Sequence, residues 1–96
     1  MPAAARLDDP GVPHCSGYVI RTASTDVYIN DRGAARLNDL NTVHLLPGAP
    51  CPSHSVGISQ ASNSVYINDR GAARVGDPFE SCTRVAAGSD DVYIGD

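Results

Sequence analysis

The chain has 96 residues, of which 42% are hydrophobic, with no Trp and one Phe, so it holds one domain's worth of sequence and can build only a modest core. Its formal net charge is −4, with seven arginines and no lysine, which leaves no basic stripe to favour nucleic acid. It contains no apolar run long enough for a membrane-spanning helix and no charged-then-apolar leader, so any export is expected to use a route that reads no such signal.

In chain order, the same short words return. "AARLDD" occupies residues 4–9 and "DVYIND" residues 26–31; "GAARLND" follows at 33–39, "SVYIND" at 64–69, "GAARVGD" at 71–77 and "DVYIGD" at 91–96. AAR and VYI therefore alternate three times, in units of about 4–30, 34–68 and 72–96 within a single domain, 1–96. Val, Tyr and Ile favour strands, and alternation sends Val27 and Ile29 to one face and Tyr28 to the other. Asn and Asp open tight turns, with Gly expected to supply positive φ, so NDRG predicts a hairpin link and AAR the returning strand. No segment keeps a helical period. The expected fold is all-β: three β-hairpin repeats packed about a pseudo-threefold axis, each burying its neighbour's apolar face. The N-terminal AAR is expected to pair where the last VYI ends, closing a ring.

The spacing also points to a metal. Five residues beyond Asp9, Asp39 and Asp77 stand His14, His44 and Cys82, and repeat-equivalent positions converge on one axis. His54, in the longer middle unit, is the fourth candidate. Three imidazoles and one thiolate complete a tetrahedral Zn²⁺ shell, with Fe²⁺ the less favoured alternative. Cys51, three residues before His54, could replace His54 or His44; Cys51 and Cys15 otherwise read as packed or free thiols. Three cysteines allow at most one disulfide, so a metal is the expected staple of this thin core. Four protein ligands leave no open position for substrate, so the site reads as structural. A Cys82–His nucleophile pair, the basis of a small metal-dependent hydrolase, is the weaker alternative, and the chain is expected not to be an enzyme.

The GAAR word after a VYIN strand and turn, twice, followed by Asp and then His or Cys, resembles the PAAR-repeat proteins, named for Pro-Ala-Ala-Arg. Gly33 and Gly71 replace that Pro in the inner copies, and the N-terminal "MPAAARL" has one extra Ala after Pro2. The resemblance covers essentially the whole chain. It implies a compact cone or pyramid that caps the trimeric β-helical spike (VgrG-like or phage spike) of type VI secretion systems and contractile phage tails. It also implies a zinc near the vertex, which His14, His44, His54 and Cys82 match in type and order. The implied partners are the spike trimer, effector proteins docked noncovalently in an adaptor reading, and transiently the target cell membrane. The implied location is cytoplasmic before firing and at the tip of the tube or virion afterwards. In isolation the chain is expected to be a monomer without a fused toxin domain.

Overall fold

The computed structural model describes residues 1–13, 16–45 and 53–95. His14, Cys15 and Cys51 lie outside the described residues.

The fold is all-β, with no helix among the described residues. Among the described residues, three antiparallel pairs are formed by strands of two residues each: β1 (Tyr28–Ile29) with β2 (Arg32–Gly33), β3 (His44–Leu45) with β4 (Ser53–His54), and β5 (Tyr66–Ile67) with β6 (Arg70–Gly71). Isolated bridges supply the rest of the pairing. The first and third pairs are the expected NDRG hairpins. The last VYI word pairs with the residues around Ala3. Ala3 bridges Tyr93, Ala4 N–H donates to Val92 O at 2.9 Å, and Ile94 N–H donates to Pro2 O at 2.9 Å.

The three AAR words meet at the centre in a closed cycle. Ala5 N–H donates to Ala73 O, Ala35 N–H to Ala5 O, and Ala73 N–H to Ala35 O, each at 3.0 Å. All six alanines of the words are at most 1% exposed, so a larger side chain there would have to displace packed neighbours. Their Cβ atoms serve two clusters, as alternation along a strand dictates. Ala4, Ala34 and Ala72 pack with Ile67 and Ile94 toward the hairpins. Ala5, Ala35 and Ala73 pack with Tyr18, Ile20, Ile58, Phe79 and Val85 on the other side.

Two local expectations change. Positive φ falls on Asn30 (54°), Asp31 (66°), Asn68 (52°) and Asp69 (65°), the left-handed pair of a type I′ turn, and not on Gly33 or Gly71. Those glycines serve close approach: an added Cβ would lie 2.4 Å from Ser24 O and 2.5 Å from Ser62 O respectively. Val27 and Val65 also depart from the strand alternation and remain exposed. Each belongs to a turn in which a buried serine caps its N–H, Ser24 Oγ at 2.9 Å and Ser62 Oγ at 3.0 Å, so the strand period does not reach it.

The Asp that ends each AARxxD word is buried, and its carboxylate turns the preceding Arg back on itself. Asp39 accepts Arg36 N–H at 2.7 Å, Arg36 Nε at 2.9 Å and Arg36 Nη2 at 2.9 Å. It also accepts Arg70 Nη2 at 2.9 Å and the Thr22 hydroxyl at 3.0 Å. Asp9 takes the same bonds from Arg6 and a further one from Arg32; Asp77 takes them from Arg74. The Arg6 and Arg36 guanidiniums are held more firmly protonated than usual, first by the bonds to Asp9 and Asp39. The remaining guanidinium nitrogen reaches the residue that follows the next VYI word: Arg6 to Asn30, Arg36 to Asn68, and Arg74 to Gly95 O, at 3.0, 3.0 and 2.9 Å.

Candidate metal centre

On the side of the alanine cycle away from the hairpins, β3 and β4 pair His44 directly opposite His54. Cys82 approaches from the segment after Asp77. His44 Nε2 lies 3.3 Å from Cys82 Sγ, and His54 Nε2 lies 3.6 Å from it. One ligand atom from each of the three falls within 4.8 Å of the others. In a tetrahedral zinc shell, Zn–S of about 2.3 Å and Zn–N of about 2.0–2.1 Å put N and S about 3.6 Å apart. The donor set therefore fits a metal ion in both chemistry and spacing.

The His44 tautomer follows from its surroundings. Thr42 O lies 2.7 Å from Nδ1; a carbonyl can only accept, so Nδ1 carries the proton and Nε2 presents its lone pair toward Cys82. Metal-ligating histidines are commonly oriented this way, by donating the second ring N–H. His44 is 3% exposed. Its ring stacks on Tyr18 with centroids 4.1 Å apart and planes at 18°, and meets His54 at 4.2 Å. Phe79 backs Tyr18 edge-on at 5.3 Å. The Tyr18 phenol is pushed up to about 12, by burial above all; the bond with Thr83 works against that shift and Cys82 adds to it.

Of the four ligands expected from sequence, the structure brings together His44, His54 and Cys82. His14 lies outside the described residues, as do the alternatives Cys51 and Cys15. The residue that sequence reasoning missed is Tyr18. Its repeat-equivalent positions hold Val56 and Thr83, judged by the shared bonds of Gly11 N–H to Tyr18 O, Asn41 N–H to Val56 O and Phe79 N–H to Thr83 O. No repeated aromatic therefore marked it. The signal available was Gly11, where an added Cβ would lie 2.1 Å from the Tyr18 ring.

Comparison with known proteins agrees with this architecture. The family model for the PAAR motif matches residues 47–96, just over half of the chain and including His54 and Cys82. The chain belongs to the PAAR-motif family. No curated protein matches it by sequence.

Proposed function

We propose that the protein is a structural spike tip, which caps and sharpens the trimeric β-helical spike of a contractile injection machine, of type VI secretion or a phage tail, for membrane piercing. The observation that carries the reading is the hairpin end of the molecule. Tyr28, Tyr66 and Tyr93 are 60%, 62% and 52% exposed there, with Val27 and Val65 beside them. Aromatic residues are enriched at protein contacts, and these three recur at the same position of the VYI words. Three units bonded in a cycle offer similar corners to a threefold partner. The body measures 39 × 23 × 22 Å, longer than wide, and the His–Cys cluster lies beyond the alanine cycle from the tyrosines.

In this reading zinc, rather than Fe²⁺, is held by His14, His44, His54 and Cys82 as a structural ion. Support for His14 comes from the register just before it. Val12 N–H donates to Arg84 O, as Thr42 N–H does to Val19 O and Glu80 N–H to Gly57 O, two residues before His14, His44 and Cys82. A closed four-ligand shell supplies stability, not a substrate position.

The test is sedimentation of the purified chain with a purified spike trimer. One chain should bind per trimer, and a Tyr28→Ser/Tyr66→Ser/Tyr93→Ser variant should lose binding. Unchanged binding by that variant would overturn the assignment of this face. The adaptor reading is favoured by one feature, a polar groove of about 570 Å³ lined by Leu37, Gln60, Asn63, Tyr66 and Arg74 among others. An effector retained from lysate by the chain, lost on substituting Gln60 and Asn63 but kept by a Tyr28→Ser/Tyr93→Ser variant, would favour it.

A further inference from the structure

Behind the ligands runs a chain of contacts that ties their segments together. The Tyr18 ring lies flat on His44. Its hydroxyl is bonded to Thr83 Oγ1, and Thr83 Oγ1 donates to Val12 O. Because that carbonyl can only accept, the Thr83 proton is committed to it, and Tyr18 must donate to Thr83. Thr83 directly follows Cys82; Val12 stands two residues before His14. One phenol therefore links the His44, Cys82 and Val12 segments, across 65 positions of sequence at its Thr83 bond. Gly11 clears the space for it, and Phe79 braces its other edge.

We propose that Tyr18 and Thr83 are positioning residues of the metal centre, which hold the ligand-bearing segments in register before the ion binds and so set how tightly it is kept. The inference rests on the metal-centre reading above. Its physical basis is general: an outer group that fixes the orientation of a ligand removes ordering that the ion would otherwise have to impose. The relay acts by stacking on His44 and by anchoring the neighbour of Cys82.

The experiment measures zinc affinity by competition with a chelator of known affinity, on the full chain and on Tyr18→Phe, Thr83→Val, Thr83→Ser and the Tyr18→Phe/Thr83→Val double variant. Folding is followed by circular dichroism, and the thiolate-to-metal charge-transfer band of the Co²⁺ form is recorded. Tyr18→Phe keeps the stacked ring and loses one oxygen. It and Thr83→Val should each weaken zinc about 10- to 100-fold, with a shifted Co²⁺ band. The double variant should be no worse than the weaker single one, since both break one chain of bonds. Thr83→Ser restores the hydroxyl and should bind as the unaltered chain does. Should Tyr18→Phe not fold, Thr83→Val at its half-buried position carries the same comparison. Folded Tyr18→Phe or Thr83→Val with unaltered affinity and spectrum would overturn the inference. An unaltered chain that binds no zinc would instead overturn the metal-centre reading, and this inference with it.

Discussion

At the residue scale, the buried aspartates gather the arginines of the repeat words. Asp39 is 1% exposed and accepts five bonds, four of them from Arg36 and Arg70. Removing one partner of a buried pair costs up to about 3–5 kcal/mol, and here the loss falls toward the lower end because Arg70 is 36% exposed. Asp39→Ala should lower stability by about that amount, read from urea unfolding; a loss under 1 kcal/mol would show the carboxylate to be dispensable. The sequence exposed this position readily, since Asp closes each AARxxD word and Asp favours turns. What it hid was the second arginine, Arg70, which arrives from the following hairpin. Gly71 teaches the complementary lesson. Its neighbours in NDRG suggested a φ requirement, yet the constraint is the carbonyl of Ser62. Gly71→Ala should cost about 1–3 kcal/mol through forced backbone displacement, whereas a wild-type melting temperature would contradict the clash.

At the element scale, the hairpins are short enough that the turn decides them. Asn68 and Asp69 both sit in the left-handed region. Asp69→Gly should leave stability unchanged or raise it, since Asn-Gly is the preferred type I′ pair. Asp69→Val should lower it by about 1–3 kcal/mol, because a β-branched residue is strained there. Equal melting temperatures for the two variants would show that the turn does not govern the hairpin. VYI and NDRG were legible as strand and turn because propensity and turn chemistry act locally. The metal segment was legible differently. His44 and Cys82 stood out by equal spacing from Asp39 and Asp77, whereas Tyr18 did not. Its contacts lie across units, and a repeat conceals whatever occurs in one copy only.

At the scale of the whole molecule, the units are also joined at the surface. Asn68 Nδ2 donates to Asp26, and Asn30 Nδ2 to Asp91, each at 2.9 Å. The Asp26 carboxyl is held below its ordinary value of 3.8, first by Asn68 and then by Ser24; Asp91 is held below the same value, first by Asn30 and then by Ser89. A carboxylate whose folded pKa is depressed contributes stability above the unfolded pKa and loses it as pH falls through the folded one. Melting temperature should therefore drop as pH falls from about 4 toward the lowered values, and Asp26→Asn/Asp91→Asn should flatten that slope. An unchanged slope would mean these clamps do not titrate with folding. Metal removal belongs to the same scale. An ion a thousandfold above its dissociation constant adds about 4 kcal/mol by linkage, so a chelator should lower the melting temperature of the metal-loaded chain and have no effect on Cys82→Ala.

The corner nearest the bridge of Ala3 to Tyr93 carries Gly95 and Ser64 where the others carry Asn30 with Asp91 and Asn68 with Asp26. A true homotrimer could not hold such a difference, because one gene would write every change three times. Copies held in one polypeptide can differ one by one, so a single codon can reshape one flank of the molecule while its two siblings stay as they were.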